Sequence, residues 1–310
     1  MTTLPLAESA PGHARNRAEL FRALGALAEA PGEAQLRLAD LLGLPRPSGE
    51  QWTEAFVVQL VPYASVYLGA EGMLGGEAAD RVAGFWRALR QPVPSDADHL
   101  AALLGLYAAL ADAECDEPAG PRRTMRRQAR VALFHEHLAS WLPAYVRALS
   151  DSGPAPYAQW SRLLHDALLA EAAEVGPPDR PPAHLRDVAP LGDGGNLDGL
   201  LTGLLTPARS GIIITRAHLA TVARGAGLGL RLGDRRRVLR ALLEQDPAVT
   251  LAALAGQARE WRARHRADEL VVGPAARHWA ERAAITADVL TAAQREASVI
   301  AEKFSHDDRL

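Results

Sequence analysis

The chain has 310 residues, 48% hydrophobic and 23% charged, with a formal net charge of −3 at pH 7, the composition of a folded globular protein. Lys303 is its single lysine among the 34 basic residues. A phosphate-binding loop and a pyridoxal Schiff base each need a lysine in a specific context, and Lys303 stands in neither. The lone Cys115 excludes an internal disulfide, a thiolate zinc site and a cysteine-held iron–sulfur cluster, so a cytoplasmic location is expected.

Residues 1–8 lack the basic start and apolar run of a signal peptide, and the longest apolar run, over 100–111, is too short to span a bilayer. Apolar residues recur at helical spacing almost everywhere, so the expected fold class is all-α. Leu20, Phe21, Leu24 and Leu27 predict a first helix that ends before Pro31 and Gly32, and a short helix follows over 33–42. A third, starting near Glu50 and kinked by Pro62, carries Trp52, Phe56, Leu60, Tyr63 and Tyr67 as a core spine. Tyr63 and Tyr67 each need a hydroxyl partner, which suits a place where the core meets a groove.

After Gly75 and Gly76 a fourth helix presents Val82, Phe85, Trp86 and Leu89. Pro92 and Pro94 then force an extended connection, and Ser95 or Asp96 is expected to cap the next helix, whose stripe is Leu100, Leu103, Leu104, Tyr107 and Leu110. A long helix carries Val131, Phe134, Leu138, Trp141, Tyr145 and Leu149, and another runs over 156–175. The prolines and glycines over 176–199 read as a linker, which divides the chain into a core, 1–185, and a helical extension, 186–310. In the extension, helices are expected over 197–205, 216–225, 234–245, 248–266 and 274–303, and the isoleucines 212–214 are the one strand-like run. Their apolar content favours packing on the core over an independent module.

Charge divides with this boundary. Residues 1–185 sum to −6 and residues 186–310 to +3. Between Gln91 and Pro121 there is no basic residue, only Asp96, Asp98, Asp112, Glu114, Asp116 and Glu117. Such an interval is either a solvated face or, at a helix start where backbone N–H groups, carboxylates and His99 converge, a receptor for a cationic segment. Eight arginines against Asp234 occupy 209–240. The stretch 214–228 resembles the first helix and turn of a helix-turn-helix, with Arg235, Arg236, Arg237 and Arg240 placed to face phosphates; the alternatives are packing, or docking on an acidic partner. The segment after it has few side chains suited to reading bases, so nucleic acid is not the expected partner.

Other catalytic patterns are missing or misplaced. His135 and His137 are two apart and diverge on a helix, whereas a zincin pair is four apart, so no metal is expected. There is no Gly-x-Ser-x-Gly elbow, and Gly225, Gly227 and Gly229 follow a helix where a dinucleotide fold needs a strand.

Three motifs in order, Tyr63-Ala-Ser-Val-Tyr67-Leu-Gly, Pro94-Ser-Asp-Ala-Asp98-His99-Leu and Phe134-His-Glu-His137-Leu-Ala-Ser-Trp141, resemble the TorD/DmsD/NarJ family of redox-enzyme maturation chaperones over residues 15–175. The resemblance implies a TorD-like helical bundle without catalytic residues, resident cofactor or metal. It further implies a cytoplasmic chaperone that binds the twin-arginine signal peptide and the apo catalytic subunit of a molybdopterin oxidoreductase before export. Asp96, Asp98 and His99 match the family's Asp-His motif, and Tyr63 and Tyr67 its tyrosine helix, which makes these five the expected peptide-binding residues. Arg235, Arg236 and Arg237 are a secondary partner surface, and a homodimer is compatible with the family. The other reading, from a different class, is a helical DNA-binding regulator that uses the arginines of 209–240. The chain departs from the family in continuing for more than a hundred residues past Gly176.

Overall fold

The structure is a computed structural model that describes residues 11–192 and 195–307. The N-terminal residues 1–8 discussed above lie outside the described part. Among the described residues the fold is all-α, with no strand and one isolated antiparallel bridge, between Tyr63 and His99. The first helices are α1 (Pro11–Ala26), α2 (Glu33–Leu41), α3 (Gly49–Thr53), α4 (Ala64–Leu68), α5 (Gly76–Ala88) and α6 (Leu100–Asp116). There follow α7 (Pro121–Leu133), α8 (Leu142–Ser152), α9 (Ala155–Val175) and α10 (Ala183–Arg186). The C-terminal part adds α11 (Leu197–Leu204), α12 (Pro207–Ser210), α13 (Arg216–Ala226), α14 (Arg235–Gln245), α15 (Pro247–Val272) and α16 (Pro274–Asp307).

Two long helices expected from periodicity are broken. The Trp52-to-Tyr67 spine is α3, a π-helical stretch Glu54–Gln59, an irregular break at 60–63, and α4. The Val131-to-Leu149 stripe is α7, a π-helical stretch Phe134–Leu138, a turn, and α8. In each, the amide after the π stretch bonds five residues back, Leu60 N to the Ala55 carbonyl at 3.0 Å and Ala139 N to the Phe134 carbonyl at 2.7 Å. The wide turn keeps the apolar stripe on one side while the axis changes direction, so periodicity alone cannot reveal the break. Pro62 ends the first helix outright where a kink was expected. Ile212, Ile213 and Ile214 are fully buried but form no strand, since no partner strand exists among the described residues.

Buried polar networks lock the helices together. Glu171 of α9 is buried and takes the Tyr107 hydroxyl of α6 and the Arg130 guanidinium of α7, with Arg17 of α1 at 3.0 Å. Asp268 of α15 takes both arms of Arg147 from α8, at 2.6 and 3.0 Å, and His165 of α9 at 3.4 Å. Burial by itself would raise the Asp268 pKa, but the His165 and Arg147 contacts hold it below the usual carboxylate value. Each buried carboxylate is hydrogen-bonded to more than one neighbour, the condition under which a buried charge is tolerated.

The C-terminal part lies against the rest. α15 and α16 form a long hairpin, α15 packs on α9, and α12 packs on α4 and α16. Trp279 of α16 donates to the Ser140 carbonyl at 2.7 Å, and one hydrophobic cluster runs from Phe21 to Leu290. Gly211 has φ 69° and would place a Cβ 2.4 Å from the Ala283 amide, so the turn after α12 can touch α16 only without a side chain.

Over its described residues 176–192 the proline-rich stretch is a packed strap and not a bare linker, because α10 interrupts it and His184, Leu185, Val188 and Leu191 are buried. Arg282 of α16 donates to the Val188 carbonyl at 2.5 Å, and Leu191 N donates to the Arg209 carbonyl. His184 is 3% exposed and stacks parallel to His137, and neither of its ring nitrogens has a partner.

Burial, followed by the Arg81 charge, holds His184 down to about 3 and His137 to about 4, and burial with Arg282 nearby does the same for His278, at about 4. The unfolded chain takes protons near 6.5 and the folded one does not. Stability is therefore complete above pH 6.5 and falls as pH drops toward 4, by about 1 kcal/mol per pH unit for each histidine. Thermal melts at pH 7 and pH 5 should show this, and His184→Phe, which loses no hydrogen bond, should keep the pH 7 melting temperature and flatten the acid fall. A variant that unfolds at pH 7 would mean the ring nitrogens have a partner in solution. A chain cut after residue 185 should aggregate, because it strips α15 and α16 from the cluster and leaves Trp141 and Ser140 without Trp279. A soluble, cooperatively melting monomer would show that 1–185 folds alone.

Candidate functional site

The break at 60–63 brings Tyr63 beside the start of α6. Leu100 N donates to the Pro62 carbonyl at 2.8 Å and Ala64 N donates to the Asp98 carbonyl at 3.0 Å, so two helix starts are tied together. Tyr63 precedes α4, His99 precedes α6, and their rings meet edge to face at 4.9 Å. The helix cap is His99, whose Nδ1 accepts from Ala101 N at 3.1 Å, and not Ser95 or Asp96. After Pro94 residues 95–98 form a turn, closed by His99 N donating to the Asp96 carbonyl at 3.0 Å, so the helix starts four residues later than expected, at Leu100.

The five expected site residues fall into two groups. Tyr67 is 1% exposed, donates its hydroxyl to the Val61 carbonyl at 2.8 Å and stacks on Trp141 at 5.1 Å. Burial pushes its pKa far up, and its ring belongs to the core. Asp98 is 6% exposed, and its Oδ2 accepts from Ser65 N at 3.0 Å, capping α4 from a distance of 33 residues. Neither side chain lies on the surface.

Asp96, Tyr63 and His99 form the accessible group. Asp96 is exposed, beside Ser95 and within hydrogen-bonding reach of the Tyr63 hydroxyl. Burial, then the Asp96 and Asp98 charges, raise the Tyr63 pKa. His99 is half-buried and burial lowers its pKa, while Asp96, Glu29 and Asp98 pull the other way. Glu29, exposed just beyond α1, is thus close enough for its charge to act on His99. It lies seventy residues away in sequence, and no spacing pattern points to it.

Most of the acidic interval serves the fold. Asp112 pairs with Arg22, Asp116 with Arg15, Glu114 with Arg130 and Glu117 with Arg126. These carboxylates fasten α6 and the residue after it to α1 and α7, and only the Asp96 end of the interval faces outward without an arginine. Three of the arginines after Arg209 are also spent locally. Arg235 donates to the Ile214 carbonyl at 3.0 Å, and Arg236 and Arg240 both pair with Asp198. Arg237 is exposed, with its own amide capped by Asp234. His135 and His137 go to different neighbours, the Gly176 backbone and the rings of Phe85 and His184.

Asp98→Ala should destabilise the protein by about 1 to 3 kcal/mol, because the Ser65 amide is left buried without an acceptor. Asp98→Asn, which keeps an acceptor oxygen, should lose far less, and Asp96→Ala should leave the melting curve unchanged. Urea titrations of the three variants check this, and equal stability of Asp98→Ala and wild type would refute the capping role.

No curated protein matches this chain. Residues 22–147 match the family described as nitrate reductase delta subunit, a family of molybdoenzyme maturation chaperones. The matched segment contains Tyr63, Tyr67, Asp96, Asp98 and His99, together with the two π-helical stretches and the break between α3 and α4. The match over residues 22–147 supports the resemblance to the NarJ/TorD type of chaperone family, and residues 148–310 lie beyond it.

Proposed function

We propose that the protein is a non-catalytic maturation chaperone that holds the twin-arginine signal peptide of a molybdopterin oxidoreductase subunit, in the cytoplasm, before that subunit is exported. The observation that carries this reading is the edge where Asp96 stands exposed within hydrogen-bonding reach of Tyr63, whose ring meets that of His99, inside the family-matched segment. A guanidinium can bond Asp96 through two N–H groups while its flat face lies on the Tyr63 ring. Asp98 and Tyr67 act one layer below, holding Tyr63 and His99 at that edge. No helix among the described residues is long and apolar enough to cross a membrane.

The DNA-binding reading has no support. Of the arginines expected to face phosphates, Arg235, Arg236 and Arg240 are engaged on this chain's own carbonyl and carboxylate groups, Arg237 stays exposed, and the family match is to chaperones.

Fluorescence anisotropy with a labelled twin-arginine peptide tests the proposal. The paired change Asp96→Asn and His99→Ala should weaken binding between about fivefold and about a hundredfold, and a twin-lysine peptide should bind less well, since lysine cannot make the forked contact. Doubling the salt should weaken binding without abolishing it. Equal affinity of the variant and wild type, with both folded, would remove the edge as the binding site.

A further inference from the structure

Between α13 and α14 the chain makes a turn whose shape is held firmly from below. Gly227 closes α13 in the left-handed conformation at φ 67°, and Leu228 turns inward onto the core. Gln245 of α14 then grips Gly229 by both backbone groups, its Oε1 accepting from the Gly229 amide at 2.8 Å and its Nε2 donating to the Gly229 carbonyl at 2.9 Å. At the far side Gly233, with φ 150°, lies against the Arg237 side chain, and Asp234 caps α14. What projects from this clamp is Leu230-Arg231-Leu232, with Leu230 53% and Leu232 89% exposed.

Two leucines held rigidly in water at the apex of a turn are costly unless something covers them. The charges around them are mostly cationic, and the one carboxylate of the turn, Asp234, accepts from the Arg237 amide. Arg224 ends α13, Arg231 sits between the leucines and Arg237 lies in the first turn of α14, all three exposed. Among the described residues none of the three has a carboxylate partner, whereas Arg236 and Arg240, on another face of α14, are neutralised by Asp198. The same element thus has one face discharged on its own chain and one left cationic, and the leucines belong to the cationic one.

We propose that the 228–234 turn is a membrane-docking tip, in which Leu230 and Leu232 enter the interfacial layer of an anionic bilayer while Arg224, Arg231 and Arg237 contact lipid phosphates. An apolar apex inside a collar of guanidiniums matches the depth profile of such a surface, with acyl chains beneath a layer of negative headgroups. A flat acidic protein or a nucleic acid would satisfy the arginines and leave the leucines in water. The tip lies outside the family-matched segment and the peptide edge, so the proposal stands apart from the signal-peptide reading.

Flotation of the full chain with phosphatidylcholine vesicles, and with vesicles containing about one third phosphatidylglycerol, tests it. The expected result is flotation with the anionic vesicles only. It should weaken about tenfold or more in L230S/L232S, and about fivefold for each of R231Q and R237Q. All four positions are exposed, and unchanged melting curves check that the variants fold. An environment-sensitive dye on Leu232→Cys, in a Cys115→Ser background, should shift to the blue on binding. No flotation with anionic vesicles would overturn the proposal. So would flotation that survives L230S/L232S, or binding without a dye shift, since both describe charge adsorption without insertion.

Discussion

Three consecutive carbonyls, those of Leu60, Val61 and Pro62, govern how this chain is arranged. They lie where the first long helical stripe breaks, deep in the protein, and each must find a donor. Tyr145 donates to the first at 3.2 Å, Tyr67 to the second at 2.8 Å, and the Leu100 amide to the third at 2.8 Å. One of these donors starts α6, one sits in α4 and one in α8. The demand of a single break therefore fixes the mutual position of three helices, and Asp98 completes it by capping α4. Tyr63, Asp96 and His99 reach the surface together because this polar knot lies directly beneath them.

The arginine-rich composition shapes the rest of the core. Arg147 grips Asp268 with two nitrogens and Arg130 spans Glu171 and Glu114 with two, arrangements that a lysine could not reproduce. They join α8 to α15 and α7 to α9, so the helices beyond the family-matched segment are fastened to those within it by charge as well as by apolar packing. The strap over 176–192 adds a third attachment of a different kind, a neutral histidine stack closed under Leu185 and Val188. Ion pairs hold at any pH above the carboxylate range, whereas a neutral stack is weakened as soon as its rings bind protons.

The same economy limits what each charge can do for a partner. Four of the six carboxylates between residues 91 and 121 face arginines of this chain, and Asp98 faces a backbone amide, which leaves Asp96 to act outward. In the basic segment Asp198 performs the corresponding discharge of Arg236 and Arg240, and the cations that remain lie around the exposed leucines of the following turn. Net charge along the chain is thus a poor guide to the charge a partner meets, because contacts distant in sequence cancel most of it.

Several features were settled by the sequence alone: the all-helical class, the limits of α2, α5, α9 and α16's start, and the placing of Leu100, Leu103, Leu104 and Tyr107 on a buried face. Each rests on local periodicity and on proline or glycine stops, which act within a few residues. The three motifs that mark the family are likewise local, and they lie within the segment that matches it, except where the tyrosine and histidine motifs serve the core. Tertiary structure alone decided that the Trp52 and Val131 stripes break through π turns, that Asp98 and Tyr67 turn inward while Asp96 stays out, that Glu29 joins His99, and that the proline-rich stretch folds into a strap. The reason is common to all of these. A buried carbonyl, carboxylate or imidazole is assigned its role by the partner that reaches it, and here those partners, Tyr145 on Leu60, Ser65 on Asp98 and His137 against His184, come from 33 to 85 residues away.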